Sequence, residues 1–153
     1  MKTILVTLCV IVGLFIGLQY YVSAQRENIN GLDTPYKKEK IHYETAKLLK
    51  NNDYQRLILP KDLENSLRNH SKVFVYFYSS TCTYCKKATP IVNLVSEKTH
   101  NDVKQFNLLE FEEGWNKYKI EQTPTLILFK NNKEVKRLEG LYDEKTYLNF
   151  MKN

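Results

Sequence analysis

The chain has 153 residues and a formal net charge of +6, and 42% of its residues are hydrophobic and 12% aromatic. This composition excludes a disordered chain and supports one packed domain. The positive charge is dispersed among 17 acidic residues, and no compact lysine or arginine block is interleaved with aromatics. We therefore expect no nucleic-acid partner.

The first predicted element is an N-terminal membrane helix. Residues 3–22 carry no charged side chain and follow Lys2, and about twenty such residues can span a bilayer. Val22-Ser23-Ala24 is similar to a signal-peptide cleavage site, so removal of the segment before Gln25 is the alternative. We predict that residues 1–24 form a transmembrane anchor or a signal segment. The remainder would then lie outside the cytoplasm, either on a single-pass cell-membrane protein or on a secreted one.

A polar segment separates this helix from the domain. Residues 25–52 contain Gly31 and Pro35 and show no sustained periodicity before a short amphipathic stretch at 42–51. We predict a tether that ends in a short helix.

The remaining residues, 53–153, alternate between strand and helix patterns. The predicted elements are a strand at 54–59, a helix at 60–69, a strand at 73–78, a helix from Cys82 to about 99, a strand at 103–109, a helix at 112–119, strands at 125–129 and 134–138, and a helix at 143–151. Pro60 suits the first position of a helix, and Asn131-Asn132 predicts an antiparallel hairpin. This order predicts an α/β fold with a central mixed sheet flanked by helices.

The most informative motif is Cys82-Thr83-Tyr84-Cys85, which follows an apolar strand and opens a helix. A cysteine at a helix N-terminus faces unpaired backbone N–H groups and the positive end of the helix dipole. Both favour the thiolate, which is the reactive species. The motif in this context predicts a redox-active dithiol. By position, Cys82 is the exposed nucleophile and Cys85 resolves the mixed disulfide that Cys82 forms.

A zinc site is the alternative use of two cysteines at this spacing. His70 and His100 are the nearest histidines, and neither forms the short ligand pair that is typical of zinc modules. We predict no metal and no cofactor.

The element order, the dithiol, Pro90 and Thr123-Pro124 together resemble the thioredoxin family from about residue 54 to the C-terminus. Pro90 matches the proline in the active-site helix of that family, and Thr123-Pro124 matches its cis-proline loop. Gly140 matches a glycine after the last strand, and Lys86 follows the dithiol as in many members. The resemblance implies a thioredoxin fold, with Thr123 and Pro124 binding substrate by strand addition.

The chain also departs from thioredoxin around the dithiol. Thr81 stands where thioredoxin has tryptophan, and Tyr76 stands where it has a buried aspartate that assists proton transfer. Thr83 and Tyr84 replace its Gly-Pro pair and are the expected redox-tuning residues. Tyr84 is similar to the tyrosine of the glutaredoxin dithiol. These differences leave the direction of electron flow open.

The resemblance and the N-terminal segment together predict a membrane-tethered thiol–disulfide oxidoreductase of the bacterial cell envelope. Its partners would be exported proteins with thiols or disulfides, and a redox partner protein that could itself be membrane-embedded. Two alternatives remain open at this point. One is a non-enzymatic accessory protein that holds a client with the same fold. The other is a cytosol-facing, glutathione-linked enzyme, which only Tyr84 suggests.

Overall fold

A computed structural model of the protein describes residues 2–26 and 28–152, with side chains described at 7–21 and 29–152. The chain divides into two compact units, Met1–Ala46 and Lys47–Asn153. The predicted boundaries after residues 24 and 52, between the N-terminal segment, the tether and the domain, rest on composition. The division at Ala46 rests on which residues contact each other in the folded chain.

The first unit begins with helix α1 (Lys2–Arg26), followed by strands β1 (Asn28–Gly31) and β2 (Lys38–His42). Within the described residues, no helix combines the length and the apolar character needed to cross a membrane. The predicted membrane helix is therefore not supported here, and the cellular location stays a prediction.

The two strands of the first unit form an antiparallel hairpin, in which Ile29 pairs with Ile41. A Cβ atom on Gly31 would lie 2.6 Å from a side-chain carbon of Ile41, so this close approach requires glycine. The composition of this segment predicts a tether that ends in a short helix, without strands. Four-residue and five-residue strands are too short to produce a clear alternating pattern.

The second unit contains the predicted mixed sheet. Helix α2 (Tyr43–Leu48) includes the boundary between the units and is followed by a 3-10 turn at Asn52–Tyr54. The remaining elements are α3 (Pro60–Asn69), β3 (Lys72–Tyr78), α4 (Thr83–Thr99), β4 (Val103–Asn107), α5 (Glu113–Lys117), β5 (Thr125–Lys130), β6 (Lys133–Glu139) and α6 (Glu144–Lys152).

The sheet has the strand order β4-β3-β5-β6. Strand β3 runs parallel to β4 and antiparallel to β5, and β5 and β6 form an antiparallel hairpin. Asn131 and Asn132 both have positive φ, as the favoured two-residue hairpin turn requires. The predicted mixed sheet with flanking helices is confirmed.

One predicted strand is wrong. In residues 54–59 only Leu57 bridges β4, at Gln105, although the Ile58 N–H still donates to the Gln105 carbonyl at 2.9 Å. The preceding 3-10 turn ends at Tyr54, and α3 begins at Pro60. The residues between them pair with β4 at this single position, so they form an isolated bridge and not a strand.

The two faces of β3 bury different sets of side chains. Phe74, Tyr76 and Tyr78 belong to a core with residues of α4 and α6. On the opposite face the Phe77 ring packs against Tyr118, with 5.1 Å between ring centroids. Burial on both faces explains why almost every residue of β3 is apolar or aromatic.

Candidate active site

The junction between β3 and α4 holds the first cysteine. After Tyr78 the chain turns, and the Cys82 N–H donates to the Ser79 carbonyl at 3.0 Å. Cys82 is then the N-cap of α4, and its sulfur accepts the Cys85 N–H at 3.1 Å. A side-chain oxygen commonly satisfies these first helical N–H groups, and here a sulfur does so. A negative charge on the Cys82 sulfur is therefore met by a backbone donor and the helix dipole.

The second cysteine occupies a different environment from the first. Cys82 is half-buried, whereas Cys85, in the first turn of α4, is fully buried. Burial raises the pKa of the Cys85 thiol to about 12, and its hydrogen bond with Cys82 adds to this shift. The dithiol therefore pairs one accessible sulfur with one that stays protonated at neutral pH.

The loop before β5 completes the surroundings of the Cys82 sulfur. The Thr123-Pro124 peptide bond is cis, and the Cys82 thiol donates to the Thr123 carbonyl at 3.4 Å. The Gly140 N–H, just after β6, donates to the Pro124 carbonyl at 2.7 Å. The structure thus brings four of the predicted site residues together, namely Cys82, Cys85, Thr123 and Pro124.

The two residues between the cysteines lie on the outside of the first turn of α4. Thr83 is exposed, and Tyr84 is 62% exposed. Both side chains are available to a docking protein. Their predicted effect on the redox equilibrium stays a prediction.

A sequence model of the thioredoxin family matches residues 55–153, which is well over half of the chain. The chain belongs to the thioredoxin family. Family membership makes it a thiol–disulfide oxidoreductase, because thioredoxins act on the thiols and disulfides of proteins.

Individual relatives agree with this assignment. A thioredoxin of Chlamydia pneumoniae is 36% identical over 80 residues, covering 52% of this chain and 78% of the relative. A thioredoxin of Rickettsia bellii (strain RML369-C) is 30% identical over 92 residues, covering 59% of this chain and 88% of the relative.

Solved thioredoxin structures share the fold at lower sequence identity. A mutant thioredoxin from Halobacterium salinarum NRC-1 aligns with a TM-score of 0.57 at 24% identity, covering 65% of this chain and 88% of that one. Oxidised mitochondrial thioredoxin 3 from Saccharomyces cerevisiae gives a TM-score of 0.59 at 15% identity, covering 65% of this chain and 97% of that one.

The surroundings of Cys85 contain residues that the sequence analysis did not single out. Thr89 donates its hydroxyl proton to the Cys85 carbonyl at 2.7 Å, and Tyr54 and Tyr147 interact electrostatically with the Cys85 sulfur. Thr89 follows Cys85 by four residues, a spacing at which a helical threonine can reach that carbonyl. No comparable signal marks Tyr54 or Tyr147, because both come from elements distant in the chain.

The described residues show no group of three or more histidine, cysteine, aspartate or glutamate side chains that could hold a metal ion. His70 and His100 instead border a cleft of about 360 Å³ near the start of β3 and the end of α4.

Proposed function

We propose that this member of the thioredoxin family exchanges disulfides with exported proteins, using Cys82 as the nucleophile and Cys85 as the resolving thiol. The observation that carries the proposal is the contrast between the two sulfurs. Cys82 is partly accessible and is hydrogen-bonded to the Cys85 N–H and the Thr123 carbonyl, whereas Cys85 is buried.

In the reducing direction, the Cys82 thiolate attacks one sulfur of a client disulfide. A bond forms between Cys82 and that sulfur, the client disulfide breaks, and one client thiolate leaves. Cys85 then loses its proton to solvent and attacks the Cys82 sulfur. The second client thiolate leaves, and the dithiol has become a disulfide while the client has gained two electrons. The oxidising direction runs through the same intermediate in reverse.

The Thr123-Pro124 loop is the proposed substrate contact. Its carbonyl lies within hydrogen-bonding distance of the Cys82 sulfur, so an extended client segment paired with this backbone would present its disulfide to Cys82. Thr83 and Tyr84, exposed on the adjoining helical turn, would contact the same client and shift the redox equilibrium.

Placement outside the cytoplasm is supported by the N-terminal segment, not by the domain. Residues 3–22 are uncharged, and the described apolar side chains of α1 are exposed on every side of the helix, among them Leu8, Leu14 and Phe15. A signal or anchor segment needs apolar side chains all around, in contrast to the single stripe of a helix packed on a domain. A redox partner in or at the membrane would then regenerate the dithiol.

A trapping experiment tests the chemistry. Cys85→Ala should accumulate a covalent mixed disulfide with a protein disulfide substrate such as insulin, because the resolving sulfur is missing. Cys82→Ala is the matched control and should form no adduct. Absence of an adduct in Cys85→Ala, or equal adducts in both variants, would refute the assignment of roles.

Selective labelling tests the location. In a Cys9→Ser background, a membrane-impermeant maleimide should label Cys82 on intact cells. Labelling only after lysis would place the domain inside the cell and favour a cytosol-facing enzyme.

A further inference from the structure

Two buried hydroxyl groups converge on the backbone of Cys85. The Thr89 hydroxyl donates to the Cys85 carbonyl at 2.7 Å, and the Tyr76 hydroxyl lies 3.4 Å from the same oxygen. The two hydroxyl oxygens are 3.2 Å apart. Since the Thr89 proton is already directed at the carbonyl, the Tyr76 hydroxyl can donate to either oxygen. Tyr76, Thr89 and Cys85 are all fully buried.

Among the described residues, the titratable groups found to interact with the Cys85 sulfur include no carboxylate. The titratable groups found to interact with it are Cys82 on α4, Tyr54 on the 3-10 turn, Tyr76 on β3 and Tyr147 on α6. Burial raises the pKa of each of the three phenols, so each stays neutral. The β4 residue in register with Tyr76 is Gln105, an uncharged amide.

We infer that Tyr76 and Thr89 are positioning residues for the resolving cysteine, and that the Cys85 proton leaves to solvent hydroxide and not to a buried side-chain base. The two hydroxyls hold the first turn of α4 through the Cys85 carbonyl, which keeps the Cys85 sulfur directed at Cys82. This inference rests on the proposed function, because it assigns resolution to Cys85.

The consequence is a reaction whose two steps respond differently to substitution and to pH. The Cys82 sulfur makes its contacts with the Cys85 N–H and the Thr123 carbonyl and not with the Cys85 carbonyl, so we expect attack by Cys82 to change little when that carbonyl loses a donor. Attack by Cys85 on the mixed disulfide depends both on the position of its sulfur and on its thiolate fraction. Below the pKa of a thiol, that fraction rises about tenfold per pH unit.

A stopped-flow assay separates the two steps. The full chain carrying Cys9→Ser is reduced and mixed with the symmetric disulfide of thionitrobenzoate. Attack by Cys82 forms a mixed disulfide and releases one coloured thiolate. Attack by Cys85 on Cys82 forms the internal disulfide and releases the second, so each step appears as its own phase. Cys85→Ser should release only the first thiolate, whereas Cys82→Ser should lose the fast phase.

Tyr76→Phe and Thr89→Val should each slow the second phase about tenfold, the effect of losing one hydrogen bond worth ~1.4 kcal/mol, and leave the first phase within about twofold. Thr89→Ser should restore the second phase, because it restores the hydroxyl. The control is Tyr118→Phe, which removes a phenol hydroxyl from the opposite face of β3 and should change neither phase. Thr89→Val is nearly isosteric and tests the inference even if Tyr76→Phe fails to fold.

The pH profile distinguishes positioning from proton transfer. The second phase should rise about tenfold per unit from pH ~6 to ~9 without a plateau, and Tyr76→Phe should lower it at every pH while keeping that slope. A plateau in this range, or unchanged second phases in both Tyr76→Phe and Thr89→Val, would overturn the inference. If Cys85→Ser still released both thiolates, the proposed roles of the cysteines would fail instead.

Discussion

The difference between the two thiols predicts a large difference in alkylation. A pKa of about 12 for Cys85 leaves it about a thousandfold less ionised at pH ~8 than an ordinary cysteine with a pKa near 9, which corresponds to about 4 kcal/mol. Alkylation requires the thiolate, and Cys85 is also fully buried. Iodoacetamide should therefore modify Cys82 at least about a hundredfold faster than Cys85 in the folded protein.

The assay uses reduced protein carrying Cys9→Ser, timed quenching, and fragment-ion mass spectrometry that assigns each adduct to one cysteine. Two controls separate the causes of protection. In guanidinium Cys85 should react as an ordinary thiol, because its burial is lost. In Cys82→Ala the hydrogen bond with residue 82 disappears but burial remains, so Cys85 should react faster than before and still far more slowly than in the unfolded chain. Comparable rates for Cys82 and Cys85 in the folded protein would refute the assigned asymmetry.

Three substitutions test the framework that carries the site. For each, the free energy of unfolding is measured by urea titration with circular dichroism as the signal. Gly140→Ala should lower the free energy of unfolding by about 1–3 kcal/mol, because φ at this position is +104°. An unchanged urea midpoint would show that the backbone relaxes. Leu63→Ala, at a fully buried position of α3, should cost about 2–5 kcal/mol through the cavity that it leaves, and a loss below about 1 kcal/mol would contradict tight packing there. Arg137→Gln should lower the free energy of unfolding by about 1–3 kcal/mol, since the Arg137 guanidinium donates to Glu134 and Glu139. A loss of stability that does not change with salt concentration would show that these carboxylates contribute little.

Local sequence signals predicted most elements of the second unit. Pro60 opens α3 as expected for a proline at the first helical position. Asn131 and Asn132 form the β5–β6 turn in the left-handed conformation that asparagine tolerates. Asp143 caps α6 by accepting the Thr146 N–H at 2.9 Å. Each of these signals acts within a few residues, which is why a single sequence contains it.

The failures concern contacts between distant parts of the chain. The strand expected at 54–59 pairs with β4 only through Leu57, and pairing with a strand some fifty residues away leaves no signal in the local sequence. Tyr76 and Thr89 lie thirteen positions apart in the sequence. They come together because β3 packs against α4, and no local sequence pattern specifies that packing. The dithiol could be predicted because its chemistry lies in four consecutive residues. The contacts of the Tyr76 and Thr89 hydroxyls with the Cys85 carbonyl could not be predicted in this way.

The surroundings of the two sulfurs lead to one order of reaction. In the proposed mechanism a client meets Cys82 first, because that sulfur is partly exposed beside the Thr123 carbonyl, whereas Cys85 is covered. Burial is the main cause of the raised pKa of Cys85, and a negative charge on Cys82 adds a smaller contribution that is lost once Cys82 is bonded to the client. Forming the mixed disulfide therefore makes Cys85 easier to ionise at the step in which its thiolate is needed. Burial remains, so under the proposed roles we expect the lifetime of the client adduct to depend on how firmly the Cys85 sulfur is held towards Cys82.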